Sequence, residues 1–139
     1  MTHSWRYAIL LLLIGTPLVA AQEPEPEFAK HLFPPELVMQ QQQSLRLTPE
    51  QRTSITHGIR DFQLKMVDLQ WKMQEEAQKL TELVQGAQVD EAQTLAQVDR
   101  VLEIEREIKR AHMALLVRIK NLLRPEQQVA LTALRQSKR

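Results

Sequence analysis

The sequence predicts an all-α fold: a long antiparallel helical hairpin with short flanking helices, four helices in all. Composition is the first reason. The 139 residues include only 3 Gly and 4% aromatics, which is poor material for strands or phosphate-cradling loops, whereas Leu, Gln, Glu, Ala, Lys and Arg are abundant and favour helix. A dinucleotide-binding domain and a β-sandwich are thereby excluded. The second reason is two long apolar stripes at helical spacing, and the third is a short turn between them. Cysteine is absent, so disulfides, thiolate catalysis and cysteine-based zinc sites are impossible. The length fits one small domain.

Residues 1–21 read as a signal peptide. Arg6 gives a positive start, Ala8 to Ile14 is an unbroken apolar run, Gly15 and Pro17 break it, and Val19-Ala20-Ala21 offers small residues for cleavage. That run is shorter than the ~20 residues of a membrane-spanning helix; the alternative is a retained N-terminal anchor. Without this segment the 18 Lys+Arg lose Arg6 and become 17, against 17 Asp+Glu, for a mature net charge of zero. Such a balance gives no indication of nucleic-acid binding.

Residues 22–35 carry Pro24, Pro26, Pro34 and Pro35 among Glu23, Glu25 and Glu27. Helix nucleation is blocked repeatedly, and the segment reads as a flexible acidic leader. The helical domain is expected over 36–136. It opens with a short amphipathic piece, Glu36 to Leu45, whose Gln40 to Gln43 form a solvated face.

Leu47-Thr48-Pro49-Glu50-Gln51 announces the first long helix. Thr48 suits the N-cap, Pro49 the first helical position and Glu50 the first turn, and Gln51 completes a capping box. Ile55, Ile59, Phe62, Met66, Leu69, Met73, Ala77, Leu80 and Val84 then recur every three or four residues, one stripe along about ten turns. Gly86 to Asp90 is the turn, with Gly86 as C-terminal cap and Asp90 as the next N-cap. Leu95, Val98, Val101, Leu102, Ile104, Ile108, Ala111, Leu115, Ile119 and Leu122 form the second stripe. A short loop between two such helices requires an antiparallel hairpin. A last short helix follows Pro125, with Val129, Leu131 and Leu134 apolar and a basic end suited to the helix C-terminus. The stripes exceed what one hairpin needs to bury, so a homodimer is expected.

The opening signal of the first long helix occurs twice. Leu47-Thr48-Pro49-Glu50-Gln51 returns 76 residues later as Leu123-Arg124-Pro125-Glu126-Gln127, each opening a helix. With this repeat bracketing a helical hairpin behind a signal peptide, the chain resembles the LTxxQ periplasmic superfamily from about Leu37 to Leu134. Arg124 departs from the pattern and removes the threonine cap. The resemblance implies a cradle-like homodimer in the periplasm with no catalytic activity, no cofactor and no small-molecule substrate. It implies a Spy/CpxP-like ATP-independent chaperone or envelope-stress modulator that binds unfolded or sensor-domain proteins. The alternative is a CnrX/ZraP-like heavy-metal sensor or resistance protein binding Zn, Ni or Co.

No GxSxG, HExxH or P-loop is present, and Glu103, Glu105, Arg106, Glu107, Lys109 and Arg110 interleave as on a solvated helix face. An enzyme is therefore not expected. On a helical wheel His112 and Glu105 fall within the stripe of Ile108, Leu115 and Ile119, pointing to the core or a dimer seam. They would be the metal ligands under the alternative; otherwise they form a structural pair, and no metal is expected. Opposite Phe62 on the first long helix, His57, Arg60, Leu64, Val67 and Trp71 share a face that the hairpin core does not need. Arg60, Leu64, Val67 and Trp71 are the expected client or dimer face, with Arg52, Lys65 and Lys72 nearby.

Overall fold

The computed structural model describes residues 26–137. The expected signal peptide lies outside these residues, as does the start of the leader. Among the described residues every regular element is helical. A short 3-10 turn, Glu27–His31, is followed by α1 (Pro35–Gln40), α2 (Pro49–Val84), α3 (Glu91–Leu122) and α4 (Pro125–Ser137).

The long helices start where their caps place them. Thr48 Oγ1 accepts from the Gln51 backbone N–H at 3.1 Å, and Gln51 Oε1 accepts from the Thr48 N–H at 3.0 Å, a complete capping box with Pro49 in the first turn. At α3, Asp90 Oδ1 accepts from the Gln93 N–H at 2.9 Å. At the other end of α2 the cap is Gln85, and Gly86 does not use the left-handed backbone expected of a C-terminal glycine. The left-handed residue is instead Arg46, φ 49°. It closes the turn after α1, where the Leu47 N–H reaches Gln42 O at 3.1 Å and the Arg46 N–H reaches Gln43 O at 3.0 Å. The amphipathic piece expected over 36–45 is therefore helical only to Gln40, because that turn must fold back to seat Leu45 and Leu47 in the core.

α2 and α3 pack as the predicted antiparallel hairpin, about 50 Å long at 1.5 Å per residue. Gly58 faces Leu115 and Arg118, Phe62 faces His112, and Glu76 faces Gln97. The hairpin divides into a base and an arm. The core cluster lies at the base: Ile55 of α2 and Leu115 and Ile119 of α3 meet Phe33, Val38, Leu45, Leu47, Leu123 and Leu131 from the flanking segments. On the arm, beyond about residue 64 of α2 and before 105 of α3, only Leu69 and Ile104 among apolar residues are buried. There the predicted stripes are wider than the seam they close. Leu95 and Leu102 of the second stripe stay 55% and 52% exposed, because two helices alone bury a narrow contact line and nothing from the flanking segments reaches them.

Residues 27–35 are a packed strap rather than the free leader expected. Phe33 is buried, Arg135 donates to the carbonyls of Ala29, Lys30 and Leu32, and Lys120 Nζ donates to His31 O at 2.7 Å. Lys120 and Arg135 also lie 5.9 and 5.8 Å from the centre of the Phe33 ring. The prolines block a regular helix, but one buried aromatic and two cations reading carbonyls hold the segment in place.

Candidate functional site: the outer face of the arm

The site begins with the repeated motif, which fixes where the arm leaves the base. The two motif glutamines meet across the fold. Gln51 Nε2 donates to Gln127 Oε1 at 2.9 Å and to Leu122 O at 2.7 Å, while Gln127 Nε2 donates to Leu45 O at 3.0 Å and to Gln51 Oε1 at 3.2 Å. Gln127 Oε1 also accepts from the Arg124 N–H at 2.8 Å. Both amides use their donors and acceptors fully in a low-exposure site. Half of the second capping box thus survives the loss of the threonine; the Arg124 side chain turns away to pair with Glu126. Glu50 and Glu126 occupy equivalent positions in the two first turns, and both carboxyls are held below their ordinary pKa. For Glu50 the chief cause is its own backbone N–H, then the Thr48 hydroxyl; for Glu126 it is the Arg124 guanidinium. The expected motif positions Leu47, Thr48, Pro49, Glu50, Gln51, Leu123, Pro125, Glu126 and Gln127 are therefore brought together at one end of the hairpin.

A second tie holds the arm further out. Gln97, nearly buried, donates from Nε2 to Glu76 O at 2.9 Å and to Glu76 Oε2 at 2.6 Å. The Glu76 carboxyl is held below its ordinary value by the hydrogen bond from Lys79 first and that from Gln97 second. Nothing in the local sequence marked Gln97; it interrupts an apolar stripe, and only the facing backbone of α2 explains it.

On this scaffold α2 turns its expected face outward. Leu64 is 67%, Val67 53% and Trp71 68% exposed, spaced three and four apart and directed away from α3. Arg60 continues the row toward the base, where it borders a shallow depression with Arg52, Thr53, Thr56 and His57. His57 Nδ1 lies 3.1 Å from Asp61 Oδ2, and Lys72 pairs with Asp68 at 3.1 Å, which raises the lysine pKa. Arg52 and Arg60 form no ion pair among the described residues, so their charge is available to a partner.

The arm also concentrates exposed apolar surface. Seven of the ten large exposed apolar side chains among the described residues lie from Leu64 to Leu102, on a stretch that holds only one of the eleven buried ones, Leu69. Contiguous apolar area left in water is characteristic of a contact surface, and Leu64, Val67 and Trp71 supply such a row on α2.

His112 and Glu105 do not stand as the sequence suggests. Both are exposed in the protomer, and no hydrogen bond or ion pair joins them among the described residues. Glu105 borders a depression on the outside of α3 with Leu102, Arg106 and Met113; the His112 ring faces Phe62, centroids 5.9 Å apart, on the side toward the strap. The wheel placed them within the stripe, pointing to the core or a dimer seam; in the single chain neither is buried, and the strap beside His112 leaves that side chain exposed. No group of three or more metal-ligating His, Asp or Glu side chains forms among the described residues. No described helix is long and apolar enough to cross a membrane.

No family model, curated protein or solved structure matches this chain.

Proposed function

We propose that the protein is a non-enzymatic periplasmic binding protein, a Spy/CpxP-like ATP-independent chaperone or envelope-stress modulator, working as a homodimer. The observation that carries this reading is the segregation of the molecule into a base that holds its core and an arm that holds its exposed apolar surface. Export to the periplasm draws support from the N-terminal sequence pattern, and the choice of class from the repeated motif. The apolar anchors of the arm adjoin Arg52 and Arg60, which form no ion pair among the described residues, toward the base: the former gain contact area with a non-native chain, the latter keep the surface solvated and attract acidic segments. The heavy-metal alternative would need His112 and Glu105 to converge, and they face different depressions.

Trp71→Ala and Arg60→Glu test the assignment. Both side chains are exposed, so each variant should unfold within about 0.5 kcal/mol of the parent when both are compared at concentrations too low for assembly. Trp71→Ala should weaken suppression of client aggregation, or dimerisation, by at least tenfold; sedimentation run beside the chaperone assay separates the two. Arg60→Glu should slow capture of acidic clients at low salt and matter less at high salt, because charges at the surface are screened over about 8–10 Å. If both variants assemble and protect like the parent, the face is an ordinary solvated surface and the reading fails.

A further inference from the structure

At the base, on the side away from the arginine row, the strap does not close completely onto the hairpin. Between them is a cavity of about 500 Å³. Its floor is carbon: Ile59 and Phe62 from α2, Leu115 and Leu116 from α3. Phe28 and Leu32 of the strap lie across it. A volume of this size is typical of sites for small organic ligands.

The polar groups sit at the edge and are unequal in sign. Lys109 and His112 are one turn apart on α3, both exposed, and neither joins an ion pair or side-chain hydrogen bond among the described residues. Arg135 is a further cation of the lining, already engaged by the strap carbonyls; Glu36 is the lining's one carboxylate. With His112 neutral the lining carries a net single positive charge, and the two unengaged donors share one edge. A neutral imidazole still offers an N–H to an anion.

We propose that this cavity binds a single-chain amphiphilic anion, a monocarboxylate of the fatty-acid class. Its hydrocarbon chain lies between the strap and the α2–α3 floor and its carboxylate meets Lys109 and His112. An extended peptide is the poorer fit. Each residue of a peptide brings a backbone donor and acceptor that must be satisfied, and apart from Lys109, His112, Arg135 and Glu36 the lining side chains offer only the Gln63 amide. A hydrocarbon chain makes no such demand. The site is independent of the arm face, so it stands or falls apart from the chaperone reading.

Calorimetric titration of the purified protein with octanoate, decanoate and dodecanoate, below their micellar range, tests the proposal. Saturable binding of one molecule per protomer is expected, tightening about three- to fourfold for each added methylene. Lys109→Glu should weaken decanoate at least tenfold yet leave decanol, which has the same chain and no charge, within about twofold. Lys109→Gln should fall between, and circular dichroism confirms that both variants are folded. Trp71→Ala, remote from the cavity, should leave decanoate affinity within about twofold of the parent. Absence of saturable binding overturns the proposal, as does indifference of decanoate to Lys109→Glu. Loss of binding in Trp71→Ala would place the ligand on the arm and overturn it too, and tighter binding of an acetylated trileucine than of decanoate would make the cavity a peptide site.

Discussion

Gly58 lies in the interior of α2, where glycine costs roughly 1 kcal/mol of helix stability relative to alanine. Glycines persist in helices when a neighbour needs the space. Here the nearest atoms to an added methyl would be Arg118 Cδ at 3.4 Å and Leu115 Cδ1 at 3.5 Å, ordinary contact distances, and the closer belongs to a flexible side chain with 58% exposure. Gly58→Ala should therefore raise the unfolding free energy by about 0.5–1 kcal/mol, read from the denaturant midpoint at unchanged slope. A loss of stability would mean that the helices approach more tightly than these distances allow. At this scale the sequence was only partly legible. Periodicity correctly turned Leu64, Val67 and Trp71 outward, because a residue's angle on a helix follows from its number. It placed His112 and Glu105 at the core or a dimer seam, and the single chain leaves both exposed and unjoined, because an angle says nothing about which element covers that side.

The elements were the most legible level, since caps are local. Thr48, Pro49 and Gln51 set the start of α2, and Asp90 that of α3, through hydrogen bonds spanning three residues. What the repeat does in three dimensions was not legible. Read along the chain, each glutamine is half of a capping box; in space the two pair with each other across 76 residues and with Leu45 and Leu122 on the facing segments. This arrangement explains why both motifs carry an amide three positions after the cap, where a glutamate would cap as well: only an amide both donates and accepts. Replacing either glutamine by leucine strands the other, a loss of about 1–3 kcal/mol for each single change. Replacing both removes the unmatched partner along with the bonds, so the double variant should lose clearly less than the sum, with a coupling of at least about 0.5 kcal/mol. Strict additivity in urea unfolding would show that the two amides act separately, as caps alone.

At the scale of the molecule, the division into base and arm decides what the protomer lacks. Nine of its eleven buried apolar residues form one cluster at the base, and past it α2 and α3 are held by Leu69, Ile104 and the Gln97–Glu76 tie. Helices in proteins gain most of their stability from packing of an apolar face, and the arm offers such faces unused on both helices: Leu64, Val67 and Trp71 on one, Leu95 and Leu102 on the other. The stripe length in the sequence pointed to a partner surface, and most of the exposed large apolar side chains among the described residues lie on the arm. A second copy supplies the same faces by symmetry, which is the usual way a homodimer buries them. Sedimentation should therefore find a dimer at micromolar concentration. Because only the assembled form gains the buried area, the unfolding midpoint should rise as protein concentration rises. Leu95→Asp with Leu102→Asp, on a face remote from the base core, should abolish that dependence if α3 contributes to the dimer, and leave it intact if α2 alone does. A folded monomer with a concentration-independent midpoint would mean that the arm tolerates its exposed surface unaided.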